Sequence, residues 1–75
     1  MADQSIDLRG VSCPLNYVKT KLKLEELEPG NVLEVLLDDG EPIMNVPRSA
    51  REDGNKILEV KKLEEGGYSC RILKG

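Results

Sequence analysis

The order in which strand-like and helix-like hydrophobic patterns follow one another is the feature that most restricts the fold of this chain. Short apolar patterns typical of β-strands occupy residues 5–10, 31–39, 55–63 and 68–74. Helical spacing fills the two intervals between the first three of them, which gives the order β-α-β-α-β-β. This order predicts a two-layer α/β sandwich, with both helices on one face of a four-stranded mixed sheet. We expect one domain over residues 1–75.

The residues available for the core of this sandwich are almost entirely aliphatic. The chain has 75 residues, two tyrosines and neither phenylalanine nor tryptophan. A chain of this size buries about 60% of the surface that it exposes when unfolded, so one two-layer core is the most that it can build. Leu33, Val35 and Leu37 share one face of the second strand pattern, and we expect this strand to be the most deeply buried.

The first helix is predicted to run from Pro14 to about Glu28, because a Pro-Gly pair follows it. Four residues at helical spacing form its predicted core face: Tyr17, Thr20, Leu24 and Leu27. Leu15, Val18 and Leu22 form a shorter second stripe. This stripe is either the flank of the core face or a surface on which a partner docks.

The second helix is predicted within residues 41–54, with Gly54 just past its end. Four apolar residues could share its core face: Ile43, Met44, Val46 and Ala50. Pro47 lies between them, and a proline at such a position kinks a helix or starts it afresh. We therefore expect a short, kinked helix.

Charge and composition exclude several classes of function. The formal net charge is −3 and there are no Phe or Trp residues, whereas nucleic-acid binders usually have a basic balance or aromatic platforms for stacking. No apolar run approaches the 18 or more residues of a membrane span, so we expect no membrane association. The first seven residues are polar and lack the anatomy of a signal peptide, which predicts a cytoplasmic protein.

The absence of histidine restricts the chemistry further. It removes Cys₂His₂ zinc sites, Cys-His catalytic pairs and Ser-His-Asp triads. Asp38, Asp39 and Glu41 flank a turn glycine but lack the pattern of a calcium loop. We expect neither a metal nor an organic cofactor. The two cysteines are predicted to be thiols, as is usual in a cytoplasmic protein.

Cys13 is the candidate nucleophile. In "DLRGVSCPLN" it directly precedes Pro14, which suits the first position of a helix, so Cys13 would be the N-cap. The helix dipole and the free N–H groups of the first turn favour an anion there, and we expect Arg9 to approach the same point. These conditions lower the pKa of a thiol. A small residue that merely caps the helix is the alternative.

Cys70 has a different setting. It alternates with Tyr68 and Ile72 along the last strand pattern, opposite Ser69 and Arg71. A cysteine in such a position is most often a small buried hydrophobic residue. We therefore expect Cys70 to be structural and unreactive.

Lysines accompany the second apolar stripe of the first helix. Lys19 and Lys23 are four residues apart, with Lys21 between them. They form either a solvated face or a surface that guides an acidic protein partner. Together with Leu15 and Val18, Lys19 and Lys23 are the candidate docking residues.

Three stretches, "DLRGVSCPLN", "KLEELEPGNVLEVLLDDG" and "NVPRSAREDGNKILEVKKL", resemble the TusA/SirA-type sulfur-carrier (sulfurtransferase) family. That family has a DxRGxxCPxP signature, a β-α-β-α-β-β fold and a single functional cysteine. The resemblance extends from Ile6 to about Leu73. The chain departs from the pattern at Asn16, where the family has the second proline. It also has Asn-Val-Pro at residues 45–47, where many members have Asp-Ile-Pro.

The resemblance implies that Cys13 accepts sulfane sulfur as a persulfide and relays it. The donor would be a cysteine desulfurase or a rhodanese-like protein, and the acceptor a thiol of a downstream protein. No cofactor is implied, and we expect a monomer. Four residues within the motif are expected to support Cys13: Arg9, Gly10, Pro14 and Asn16.

A specific hypothesis concerns Asn16, because a proline at that position would have no backbone N–H to donate. If Pro14 is the first helical residue, the backbone N–H of Asn16 can donate to the Cys13 sulfur, which would lower the pKa of that thiol. Otherwise Asn16 is a tolerated surface substitution.

Two other functions remain open from the sequence. A regulatory module of the same fold could bind a partner without sulfur chemistry. A small RNA-binding domain, resembling the C-terminal domain of translation initiation factor three, is disfavoured by the net negative charge.

Overall fold

The computed structural model describes residues 3–12 and 15–75. Four strands and two helices follow in the predicted order. The strands are β1 (Gln4–Asp7), β2 (Val32–Leu37), β3 (Lys56–Lys62) and β4 (Tyr68–Leu73), and the helices are α1 (Leu15–Glu25) and α2 (Glu41–Glu52). None of the helices in the described ranges is long and apolar enough to cross a bilayer.

The strands form one mixed sheet in the order β1-β2-β4-β3. β1 is parallel to β2, with Ile6 opposite Val35. β4 is antiparallel to both of its neighbours and places Cys70 opposite Val35 on one side and Val60 on the other. The predicted α/β sandwich with a four-stranded mixed sheet is confirmed.

The aliphatic core lies between one face of the sheet and the helices. Leu33, Val35 and Leu37 are fully buried, as the alternation along β2 predicted. β4 adds Cys70 and Ile72, which are also fully buried. On the helical side the core is closed by Leu24 of α1, by Leu27 just after that helix, and by Val46 and Ala50 of α2.

The opposite face of the sheet is held by charged side chains. Arg71 lies between two carboxylates, with Nε 3.6 Å from Glu34 Oε2 and Nη1 3.8 Å from Glu59 Oε1. Ser69 Oγ donates to the same Glu34 oxygen at 3.0 Å. This polar network explains why Ser69, on the side away from the helices, is only 8% exposed.

The helices differ from their predicted outlines in three respects. α1 ends at Glu25, because the N–H groups of Glu26 and Leu27 donate three residues back and tighten the last turn. α2 runs unbroken through the buried Pro47, so the helix does not restart there. Met44, predicted on the core face of α2, is 70% exposed. The buried residues of α2 are Val46, Pro47 and Ala50.

Candidate functional site

The turn that follows β1 is fixed by an ion pair between residues two apart. Asp7 Oδ1 accepts hydrogen bonds from the backbone N–H and from Nε of Arg9, both at 3.0 Å. Arg9 Nη2 donates to Asp7 Oδ2 at 2.9 Å, so the pair is bidentate. The hydrogen bonds from Arg9 lower the pKa of Asp7 to about 2, and the same contacts raise the pKa of Arg9 above its usual range. The charge pair therefore sets the direction in which the chain leaves β1.

Arg9 also reaches the turn between β3 and β4. Its Nη1 lies 3.4 Å from Glu65 Oε1. Gly67, in the same turn, has a φ of +83°, and a Cβ there would lie 3.2 Å from Arg9 Cδ and 2.6 Å from the Leu37 carbonyl oxygen. Only glycine fits both the backbone conformation and this close approach. The hairpin turn and the loop after β1 are thereby held together.

A second anchor joins this loop to the end of β2. The Gly10 N–H donates to Asp38 Oδ2 at 2.6 Å. The Leu8 N–H donates to the Leu36 carbonyl at 2.8 Å and so continues the pairing of the two strands, and the Val11 N–H donates back to the Leu8 carbonyl at 3.1 Å. The loop is thus fixed at several points before it reaches Ser12.

An open groove of about 350 Å³ lies between this loop and the start of α2. Its lining residues are Gly10, Val11, Ser12, Asp38, Asp39, Glu41 and Pro42. Within residues 3–12 and 15–75, no group of three His, Cys, Asp or Glu side chains could hold a metal ion. The carboxylates of the groove make its rim acidic.

Cys13 and Pro14 lie outside the described residues, so their interpretation as N-cap and first helical residue remains a prediction. The structure brings Arg9 together with Asp7 and Glu65, and two carboxylates share its charge. The prediction that Arg9 favours a thiolate at Cys13 therefore depends on a guanidinium that is already paired twice.

Asn16 is fully buried, and the interpretation of it as a tolerated surface substitution is wrong. Its backbone N–H, predicted to donate to the Cys13 sulfur, donates to the Ser12 carbonyl at 3.2 Å. Its carbonyl accepts from Thr20 Oγ1 at 2.8 Å, and its Oδ1 accepts from the Tyr17 N–H at 2.7 Å. Nδ2 has no partner in the described part of the chain. Asn16 therefore organises the first turn of α1 from inside the protein.

Tyr17 connects α1 to the far end of α2. Its phenolic O–H donates to Asp53 Oδ2, and the phenolic oxygen lies 3.2 Å from the Ser49 carbonyl oxygen. Burial, and next the hydrogen bond to Asp53, raise the pKa of Tyr17 above its usual range. The periodicity of α1 placed Tyr17 on the core face but gave no sign of its polar partner.

The candidate docking residues of α1 lie on its solvent side. Leu15 is 55% exposed and Val18 46% exposed, so about half of each side chain faces solvent. Lys19 is exposed, and Lys23 Nζ lies 3.6 Å from Glu26 Oε1. The structure thus brings all four candidate docking residues to the outside of one helix.

Cys70 is fully buried between β2 and β3, as predicted. Burial raises the pKa of its thiol to about 11. At neutral pH it is therefore a protonated core residue that no large partner could reach.

The sequence patterns missed three residues that shape the site. Glu65 and Asp38 anchor the loop after β1, and Asp53 anchors Tyr17. Each is distant in sequence from the residue that it binds. In the sequence, Asp38 is notable only as a weak candidate metal ligand, and no local pattern marks Glu65 or Asp53.

Comparisons with known proteins agree with this architecture. Residues 4–74 match the model of the family described as sulfurtransferase TusA. A relative in Archaeoglobus fulgidus, which bears a sulfur carrier name, is 40% identical over 73 residues, covering 97% of this chain and 83% of the relative. The sulfur carrier protein TusA of Allochromatium vinosum is 35% identical over 72 residues, covering 96% of this chain and 92% of that protein.

The fold has a counterpart among solved structures. The crystal structure of a SirA-like protein from Desulfitobacterium hafniense superposes with a TM-score of 0.84 at 30% sequence identity. The alignment covers 96% of this chain and 97% of that one. The family match over nearly the whole chain, the relatives and the shared fold lead to one conclusion: this chain belongs to the TusA family of sulfur carrier proteins.

Proposed function

We propose that this chain carries sulfane sulfur as a persulfide on Cys13 and passes it to a thiol of a second protein. Membership of the TusA family, together with the intact Asp-x-Arg-Gly-x-x-Cys-Pro motif, is the observation that carries the proposal. The burial of Cys70 supports the choice of cysteine, because the chain has only two.

Loading is an exchange of one sulfur–sulfur bond for another. The Cys13 thiolate attacks the terminal sulfur of a persulfide on a cysteine desulfurase or a rhodanese-like protein. A bond forms between the Cys13 sulfur and the terminal sulfur, and the bond between the terminal sulfur and the donor cysteine breaks. The donor leaves as a thiolate, and neither an oxidant nor a reductant is consumed.

Unloading repeats the same step in the other direction. A thiolate of the acceptor protein attacks the terminal sulfur of the Cys13 persulfide. The new persulfide forms on the acceptor, and Cys13 leaves as a thiolate that is ready for another cycle. Neither step requires an imidazole, which suits a chain without histidine.

The contacts before Cys13 support a defined presentation of its sulfur. Asp7, Arg9 and Glu65 hold the start of the loop, and Gly10 is bound by Asp38. A carrier must offer its sulfur to two large partners in turn, and rates of thiol exchange depend on access. An anchored loop reduces the conformational freedom that each encounter would otherwise have to restrict.

Mass spectrometry of the intact protein after incubation with a persulfide donor tests the proposal. We expect a gain of one sulfur atom on Cys13 in the native chain and in Cys70→Ala, and none in Cys13→Ser. Brief iodoacetamide treatment of the folded protein should label Cys13 before Cys70. Sulfur on Cys70, or equal labelling of both cysteines, would overturn the assignment.

A protein-binding module without sulfur chemistry is the second candidate, and the exposed apolar side chains of α1 favour it. A folded protein that binds its partner but gains no sulfur from any persulfide donor would establish this alternative.

A further inference from the structure

The solvent side of α1 exposes more apolar surface than its position in the fold requires. Leu15, Val18 and Leu22 are 55%, 46% and 56% exposed. Their spacing of three and then four residues aligns them in one row along the helix. Lys19 and Lys23, four residues apart, border this row on one side. These five residues are called the α1 outer face.

The core does not need these three side chains, because another side of α1 fills it. The buried residues of the helix are Asn16, Thr20 and Leu24. Single exposed apolar residues are common on protein surfaces, but a contiguous row of them is typical of an interaction site. The row begins two residues after Cys13, so a protein that covers it is held next to the motif cysteine.

The charge of α1 indicates what kind of surface would cover it. Three lysines and one glutamate give α1 a net charge of +2, in a chain whose formal net charge is −3. Lys19 and Lys21 form no ion pair within the described residues, and Lys23 pairs with Glu26, which is 68% exposed. A basic helix in an acidic protein attracts and orients an acidic partner. In a symmetric dimer, two copies of this face would oppose like charges.

We propose that the α1 outer face is the docking surface for a protein that donates sulfur to Cys13, and that this donor presents an apolar patch bordered by carboxylates. The role given to the face rests on the proposed function. The lysines steer the encounter, and the apolar row supplies the area that is buried when the donor is seated.

The experiment compares a protein donor with a small one. The rate at which sulfur appears on Cys13 is measured with a persulfide-loaded cysteine desulfurase and, separately, with glutathione persulfide. The ratio of the two rates removes any effect of a substitution on the thiol itself. The test variants are Lys19→Glu/Lys23→Glu and Val18→Ser/Leu22→Ser.

Matched controls lie on β3, outside the α1 outer face. Lys61→Glu/Lys62→Glu makes the same change in charge on exposed residues. Leu58→Ser/Val60→Ser removes apolar side chains that are 48% and 47% exposed. Urea unfolding of every variant checks that the fold is retained.

We expect the ratio of rates to fall about tenfold or more at low salt in both α1 variants, and to stay within about twofold in the β3 controls. The effect of the charge reversal should shrink as salt is added. An unchanged ratio in the α1 variants, or an equal fall in the β3 controls, would overturn the proposal. A desulfurase that loads the native chain no faster than glutathione persulfide does would also overturn it.

Three other results have distinct meanings. If neither donor loads Cys13, the proposed function fails, and the docking role fails with it. Self-association of the native chain in light scattering that the α1 variants abolish would make the face a dimer interface and overturn the proposal. Binding to phosphatidylserine vesicles that the α1 variants abolish would make it a membrane surface and overturn it too.

Discussion

The segments before and after the Cys13–Pro14 dipeptide are held in place by different forces. The loop at residues 7–12 is fixed by hydrogen bonds and ion pairs from carboxylates: Asp7 and Glu65 on Arg9, and Asp38 on Gly10. The helix at residues 15–25 is fixed by burial of one side against an aliphatic core. The loop therefore adds ionised contacts to backbone hydrogen bonds and the burial of Leu8, whereas the helix relies mainly on apolar packing.

This difference means that the two sides respond to different conditions. Ion pairs between exposed groups weaken when the carboxylates are protonated or when salt screens them. Burial of aliphatic side chains responds neither to protonation nor to the screening of charges. Substitutions in α1 should therefore change global stability, whereas substitutions in the loop should change the local order next to the motif.

The largest difference in stability is expected between substitutions at two leucines of α1 that lie two residues apart. Leu24 is 2% exposed and Leu22 is 56% exposed. Leu24→Ala should lower the free energy of unfolding by about 2–5 kcal/mol, because it leaves a cavity in the core. Leu22→Ala should change it by less than about 0.5 kcal/mol. Urea unfolding followed by circular dichroism measures both.

Similar losses in the two alanine variants would contradict the assignment of the two sides of α1. They would mean that Leu22 packs against the protein in solution. The matched chemistry of the two substitutions removes side-chain size as an explanation, since both delete the same atoms from one helix.

A smaller effect on stability is expected at Tyr17, where the segment after Cys13–Pro14 makes a polar contact. Tyr17→Phe removes the hydrogen bond to Asp53 and should cost about 1 kcal/mol, because the site is only half-buried. Tyr68→Phe is the control, since the Tyr68 hydroxyl has no hydrogen bond in the described part of the chain. Urea unfolding at neutral pH should separate the two variants. Equal stability would show that the hydroxyl contributes nothing.

Tyr17 also predicts a pH dependence in the alkaline range. Folding raises the pKa of its phenol above the ordinary value of 10.0. Above that value the unfolded chain loses the proton while the folded chain keeps it, so stability should fall as the pH rises further. Tyr17→Phe should flatten this fall. An identical alkaline profile in the variant would contradict the pKa shift.

The same contrast explains what could be predicted from the sequence. Periodicity identified the strands, the core positions of β2 and α1 and the burial of Cys70, because these depend on patterns within ten or so residues. It failed at Met44, because adjacent residues of a helix point to different sides and Met44 faces solvent. It also placed the end of α1 three residues late, since a tightened last turn keeps Leu27 buried after the regular helix has stopped.

The loop contacts could not be predicted in this way. Gly10 binds Asp38 and Arg9 binds Glu65, and in each pair the partner comes from a distant turn that the sheet brings close. From the sequence alone, many other acidic residues of this chain could equally well have bound Gly10 or Arg9. Only the order β1-β2-β4-β3 selects these two.

Asp7 tests the segment before the motif. The ordinary pKa of 3.8 falls to about 2 in the folded chain, so the contribution of this carboxylate is complete above 3.8 and is lost as the pH falls towards 2. Asp7→Asn should remove that dependence on acid and speed amide hydrogen exchange at Arg9 and Gly10. Glu64→Gln, in the hairpin turn, is the control. Unchanged exchange in Asp7→Asn would show that the loop is held without its charge pair.

The smallest effect is expected on the pKa of Cys13, from a substitution at Asn16, where the two segments meet. The Asn16 N–H donates to the Ser12 carbonyl at 3.2 Å, so Asn16→Pro removes a hydrogen bond to the backbone. The pKa of Cys13 should therefore be the same in both proteins. Asn16→Pro also removes the bond from the Tyr17 N–H to Asn16 Oδ1, and each lost hydrogen bond costs about 0.5–1.5 kcal/mol, so the free energy of unfolding should fall by about 1–3 kcal/mol.

Thiolate absorbance in the ultraviolet, followed against pH, decides this last prediction. Both proteins are titrated in a Cys70→Ala background, because the Cys70 thiol has a pKa of about 11 and would add a second transition. Asn16→Ala is the control: it deletes the carboxamide but keeps the backbone N–H. A higher Cys13 pKa in the proline variant alone would show that the N–H serves the sulfur after all. A higher pKa in both variants would assign that role to the carboxamide, because only the side chain is missing from both.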